Sequence, residues 1–506
     1  MWAILQDESA QPDRRFHAAA ALADYVPASD GASWSIKDLP FVARQLVSAN
    51  PEFQPLLRDY FRPISRRLLD EIKPIFSDRT STDAQRLGAA NAFADYAFNN
   101  IPTLTQLLTV ANSEQFAVLY PIVEATRAAK TIDDLSQIAK TLPPAELGTV
   151  ERIGFGQIRA NAAVTLLRLG EREKALSVFD MADDPKAMTD DPEALTQFIF
   201  RCRGRGIGVA ALLDLLELVS DDLQNRYRRH AHYALLLALG EYKLQEIPES
   251  QRGELLTQLE DWYLDYPSSG VHGAAGWLLC QWGQIDRARK VDEIEVPYTK
   301  DREWFTLAIK VTPTVPPKPP EEPEPVPSPQ KTFYFTFIVF PKGDFKIGSF
   351  ADEPSREKTE VQKSVTLTQS FALLDREITF KEPITFSPQH VKSMDHRDAK
   401  PTDAGGDADW YDSVTFCRWL TQQRRLAESD QPYADTETLD EEQYPRDPNR
   451  LPDKFPLNWP LELGRQGVLP TDGSRVGSGL SLGNANGFQL WKRRRPSSEI
   501  WLVHGE

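Results

Sequence analysis

The residues able to do chemistry in this 506-residue chain are few and poorly spaced for it. Cys202, Cys280 and Cys417 lie far apart and form no CxxC or Cys/His ligand spacing, so neither a disulfide framework nor a zinc site is expected and reduced thiols fit. Gly204, Gly206 and Gly208 in RCRGRGIGVA lack the GK[ST] ending and the preceding strand of a phosphate loop, and predict a turn between helices. His230 and His232 stand two apart, on different sides of a helix, while His390 and His396 fall in a loop, so no ligand set emerges. Asp352, Glu353, Glu357 and Glu360 read as solvated loop carboxylates. The triplet Ala308, Ile309 and Lys310 mimics the strand lysine of a protein kinase, but no glycine-rich loop, HRD or DFG accompanies it. Lys492 to Arg495 would be a basic patch only if the C-terminal tail were genuine. No residue is therefore assigned as catalytic, cofactor-binding or metal-binding, and no cofactor is expected.

The elements that would carry these residues fall into parts. Hydrophobic residues make up 41% and charged residues 26%, as in globular domains, and a chain this long exceeds one ordinary core. The net charge of -16 opposes nucleic acid and anionic membranes. No apolar run reaches the roughly 20 residues of a membrane span, and the opening MWAILQDESAQPDRR lacks the order of an export signal, so a cytoplasmic protein is expected.

Residues 1–300 read as helices, because apolar residues recur at intervals of three and four. RFHAAAALADY from Arg15 returns as RLGAANAFADY from Arg86, 71 residues later, and more weakly as RANAAVTLLRLGE from Arg159. Small residues three and four apart let a neighbouring helix approach closely, and an offset near two helical hairpins predicts a HEAT-like helical repeat array. Between Pro313 and Pro329 the chain holds nine prolines, which predicts an extended linker over 311–330, about 50 Å long at ~3.1 Å per residue. Beyond it, FYFTFIVFPKGDFKIGS and KSVTLTQSFALLDREITF alternate as short strands, and WYDSVTFCRWLTQQRRLAE predicts a helix capped by Asp412 or Ser413, giving a small α+β module.

That module resembles the opening half of formylglycine-generating enzyme, or sulfatase-modifying factor, domains. Gly343, Phe345, Gly348, Ser349, Glu353, Pro354, Phe371, Glu377, Thr379, Trp410, Asp412, Cys417, Trp419 and Leu420 carry the likeness across roughly residues 335–471. The stretch from ALLLALGEYKL to GAAGWLLCQWG adds a resemblance to the non-kinase part of certain bacterial serine/threonine kinase proteins. The first resemblance implies a late pair of copper-binding cysteines, and this sequence stops before that region. After Leu469, Pro470 and Thr471 the family continues with EAEWE, whereas here the chain reads DGSRVGSGLSLG. Codons shifted by one base from Gly473 can spell EAEWEVACRSGTRTGFSFGSDDAL, so a frameshift near Thr471 is expected. The domains are accordingly a helical repeat over 1–300, the linker, an incomplete module over 331–472 and a disordered tail over 473–506. Cys417, beside Trp419 and Leu420 on an apolar helix face, reads as a buried structural thiol. The expected function is a non-catalytic signalling scaffold that binds a protein or peptide, the alternative being a fragment of a formylglycine-generating oxidase or kinase-linked enzyme.

Overall fold

The computed structural model describes residues 1–26, 34–35, 37–144, 146–179, 192–220, 226–312, 329–353, 355–356, 358, 360–368, 370–376, 378–379, 410–425, 489–493 and 498–503. It is mostly helical, with a small sheet region toward the C-terminus. By packing, the chain divides into Met1–Ser250 and Gln251–Glu506, each described by itself.

In the first unit most of the repeated alanines are buried, while Ala21 and Ala94 are partly so. Ala18, Ala19, Leu22 and Ala23 are buried on the helix Pro12–Tyr25, as are Ala89, Ala90 and Phe93 on Asp83–Tyr96 and Ala162, Ala163, Leu166 and Leu167 on Thr149–Arg168. The principal packing joins helices close in sequence: Asp83–Tyr96 packs on Asp38–Ser48, Ser65–Ser77 and Ser113–Thr126, and Thr149–Arg168 on Ala129–Lys140 and Pro192–Gly204. Two starts use the same device. Thr82 and Asn112 each accept a backbone N–H from a glutamine three residues on, at 3.2 and 2.8 Å, and the glutamine side chain returns the bond to the cap's own N–H.

Helix ends repeat a second device, in which a side chain from elsewhere donates to the carbonyl one residue before the end. Arg15 donates to Leu5 at 2.9 Å, closing the helix Trp2–Gln6. Gln54 donates to Val47 at 3.2 Å, closing Asp38–Ser48. Gln115 reaches Phe76 at 2.9 Å, Asn161 reaches Thr109 at 2.7 Å and Arg159 reaches Ala139 at 3.0 Å, closing Ser65–Ser77, Ile101–Val110 and Ala129–Lys140. The last carbonyls of a helix have no partner within it, so each donor removes a buried vacancy.

The second unit takes in most of the helix Glu249–Asp265, then the helices Ser269–Gln281 and Ile285–Asp292. Strands β1 (Trp304–Val311), β2 (Lys331–Phe340), β3 (Gly343–Ile347), β4 (Lys363–Leu367), β5 (Phe371–Leu374), β6 (Gln489–Arg493) and β7 (Ser498–Val503) follow. One sheet runs β1-β2-β5-β7-β6 and β3-β4 form a separate hairpin. The pairing of β1 with β2 is antiparallel and places Val311 opposite Lys331. The ends of the proline-rich stretch are thus ladder neighbours, so the stretch leaves and re-enters one sheet and does not hold two bodies about 50 Å apart. Its polyproline geometry, at 313–328, lies outside the described residues.

Phe305, Ile309, Phe333, Phe335, Phe337 and Leu374 line one face of the sheet and pack with Phe416, Cys417, Trp419 and Leu420 of the helix Trp410–Gln423. That helix begins at Trp410, two residues before the expected cap. Of the tail, 489–493 and 498–503 pair as strands with each other, and 498–503 also pairs with β5; QLWKR and SEIWLV carry strand-forming residues in short apolar runs. The remaining tail residues, including Leu469 to Gly473 where the frameshift is expected, lie outside the described residues.

Close approach explains two glycines differently. A Cβ on Gly88 would stand 2.5 Å from the Val47 carbonyl oxygen, whereas one on Gly154 meets nothing within 4 Å. Gly88→Ala is expected to destabilise the first unit by about 1–3 kcal/mol, and Gly154→Ala to stabilise it by about 0.5–1 kcal/mol, both read by thermal unfolding. Equal shifts of one sign would contradict the packing.

Candidate functional site

Two places in the second unit gather side chains. At the first, the end of the helix Glu249–Asp265 is held by donors from its neighbours. His272 bonds the Tyr263 carbonyl at 2.5 Å, Arg302 the Leu264 carbonyl at 3.4 Å, and the Trp304 indole the Tyr266 carbonyl at 2.7 Å. The His272 ring stacks on Trp304 at 3.7 Å between centroids, and Tyr263 lies tilted beside it at 4.7 Å. Because a carbonyl only accepts, the bonded Nδ1 carries the proton, and Nε2 has no partner among the described residues.

Around this stack runs a polar ring. The Tyr263 hydroxyl donates to Asp292, and Arg376, just past β5, reaches Asp292 and the Tyr263 oxygen at 3.3 Å each. Glu303 accepts from the Ser269 N–H at 2.9 Å, anchoring the start of the helix Ser269–Gln281 to the start of β1. A Cβ on Gly276 would meet the Tyr263 ring at 2.6 Å, so that glycine makes room for the tyrosine. Apart from His272 Nε2, the polar groups named here are bonded to partners inside the unit. The cluster fixes helices to sheet, and the unbonded His272 Nε2 is buried within it.

The second place is a narrow apolar recess, with room of about 20 Å³, between β1, β2, β5 and the helix Trp410–Gln423. Leu307, Phe335, Leu374, Ile378, Cys417 and Leu420 contribute to its wall, with Arg424 at the rim. Cys417 is 2% exposed, and burial pushes its thiol well above the usual value, so the nucleophilic thiolate is suppressed. Among the described residues its wall is apolar apart from Arg424, which suits apolar packing.

The other residues singled out from sequence are dispersed. Gly204 ends a helix, and Gly206 takes a left-handed φ of +73° with the Ile207 N–H returning to the Cys202 carbonyl at 3.0 Å, which is a helix-ending turn. His232 is buried and His230 partly buried on the helix Arg226–Leu239; His390 and His396 lie outside the described residues. Asp352 and Glu353 are exposed, Glu360 accepts from the Ser349 hydroxyl at 3.3 Å, and Glu357 lies outside the described residues. Ile309 faces the core from β1 while Lys310 is exposed. Lys492 and Arg493 belong to β6, and Arg494 and Arg495 lie outside the described residues. Of the family-like residues, Gly348 has a φ of +98° and a Cβ there would stand 2.6 Å from the Val361 carbonyl oxygen, so only glycine fits. Phe371 stacks on Phe340 at 5.0 Å. Pro354 and Glu377 lie outside the described residues.

Among the described residues no three His, Cys, Asp or Glu side chains gather as a metal site, and no helix is long and apolar enough to cross a membrane. The sequence reading missed the Tyr263, His272, Trp304 and Arg376 cluster, whose one visible signal was the density of aromatic and polar residues in WYLDYPSSGVHG. No family model, curated protein or solved structure matches the chain.

Burial holds the His272 imidazole neutral and pushes it down to about 4, against a smaller opposite pull from the Tyr263 carbonyl; the nearby charges are Arg376, Asp292 and Arg302. The unfolded chain takes up that proton near pH ~6.5. Stability of the second unit should therefore fall as pH drops from about 6.5 toward 4, with His272 contributing up to ~1.4 kcal/mol per pH unit. Thermal unfolding of His272→Phe, which keeps a ring in the stack, should vary less over this range than that of the parent. An unchanged slope contradicts the assignment.

Proposed function

We propose that the chain is a non-catalytic interaction protein, in which a HEAT-like helical array binds a protein or peptide and a sulfatase-modifying-factor-like module binds rather than reacts. The observation that carries this reading is an apolar face turned to solvent. Phe53, Leu56 and Tyr60, on and just before the helix Gln54–Phe61, are 58%, 53% and 51% exposed. Their spacing of three and four residues sets them on one side of the helix. Exposed aromatic side chains of this kind are the usual anchors of protein interfaces.

Packing between helices close in sequence, together with alanines buried at matching positions of the repeats, supports the array reading, because stacked helical pairs present long surfaces without a catalytic pocket. The glycine-only position at Gly348 and the buried helix face of Cys417, Trp419 and Leu420 support the module reading, since both fall where the sequence resembles that family. The suppressed Cys417 thiol favours binding over oxidation.

The test is an assay of the full chain with copper, oxygen and a cysteine-containing peptide, followed by peptide mass. The peptide is expected to change no faster than in buffer with copper alone. Conversion of the cysteine to formylglycine by this chain would contradict the proposal and establish the oxidase reading.

A further inference from the structure

The first two copies of the sequence repeat end in the same pair of residues and are finished differently. At the end of the helix Asp83–Tyr96, the Asp95 carboxylate accepts from Arg58 at 3.0 Å and from Arg62 at 2.7 Å. Tyr96 donates its hydroxyl to the Arg58 carbonyl at 2.8 Å, and the Arg62 guanidinium lies over its ring, 5.8 Å from the centroid. Arg58 and Arg62 stand one turn apart, Arg62 being the residue that caps the helix Gln54–Phe61. An aspartate followed by a tyrosine at a helix end is here a seat for a helix that carries two arginines at that spacing.

The offset of 71 residues puts Asp24 and Tyr25 in the equivalent place, closing the helix Pro12–Tyr25. Both helices bury the same side, Ala19 and Leu22 in one and Ala90 and Phe93 in the other. Since each residue turns the helix by about 100°, the second carboxylate and ring stand at the same angle to that side as the first. Yet Asp24 is exposed, Tyr25 is 75% exposed, and among the described residues no side chain bonds either.

We propose that Asp24 and Tyr25 form a docking site for a helical segment of a partner protein bearing two arginines one turn apart. The inference rests on the interaction-protein reading and names the partner's chemistry. Charge complementarity selects it: two guanidiniums on one carboxylate form charge-assisted bonds, the ring adds a cation–π face, and a chain of net charge -16 draws a basic segment in.

The probe is a fluorescein-labelled, side-chain-stapled helical peptide with the sequence of residues 53–63, FQPLLRDYFRP, titrated with the full chain by anisotropy. Saturable binding that weakens as salt rises is expected. Asp24→Asn, Tyr25→Ala, and replacement of both peptide arginines by glutamine should each weaken it roughly fivefold or more, with the thermal midpoint of the protein variants unchanged. No saturable binding, or binding indifferent to Asp24→Asn and Tyr25→Ala, would overturn the site. A dimer in sedimentation that Asp24→Asn dissociates would overturn it too, by making a second copy the occupant. Formylglycine production in the cysteine-peptide assay would instead remove the non-catalytic reading and leave the peptide result standing, so the two failures are distinguishable.

Discussion

Buried donors on helix-end carbonyls are the interaction on which the packing depends. A helix leaves its last carbonyls without internal partners, and burying one unsatisfied costs about 1–3 kcal/mol. In this chain arginine, glutamine and asparagine side chains from other helices take that role, so the same bond that finishes one helix fixes the position of the next. Arg159 shows the economy of the arrangement: 1% exposed, it donates to Ala139 at 3.0 Å and to Val178 at 3.0 Å. Arg205 does the same toward Leu108 and Ala111, at 3.0 and 2.5 Å, with its guanidinium over the Phe116 ring. Burial pushes Arg205 down to about 9, which leaves it charged at neutral pH.

The second unit applies the rule with different donors. One helix end, at Tyr263 to Tyr266, is taken by a histidine, an arginine and a tryptophan, two of them from the start of the sheet. This is why helices that read as the tail of the array belong with the strands. It also explains why Trp304 is buried: the ring that closes a helix on one face of the sheet alternates with Phe305, which packs under the helix Trp410–Gln423 on the other.

Legibility followed the range of each interaction. The alanine-rich faces and the strands β2 to β5 were visible because local periodicity determines them, and the burial of Cys417 followed from its place with Trp419 and Leu420 on an apolar helix face. Strand β1 was hidden because Trp304, Phe305 and Thr306 are all buried, which erases the alternation that marks a half-exposed strand. The return of the proline-rich stretch to its own sheet was hidden because composition gives stiffness and not the position of the ends. Donors such as Arg159 and Gln115 were hidden because polar residues on a helix read as solvated until their distant carbonyls are known. The Asp-Tyr pair stood in the repeat, but its use required seeing which helix sits on the second copy.

The most direct measurement is thermal and chemical unfolding of Arg159→Met, which fills similar space and donates nothing. Loss of roughly 2–4 kcal/mol in the first unit is predicted, because two buried carbonyls lose their partner. Unchanged or increased stability would mean that apolar packing alone carries the helices, and would contradict the account.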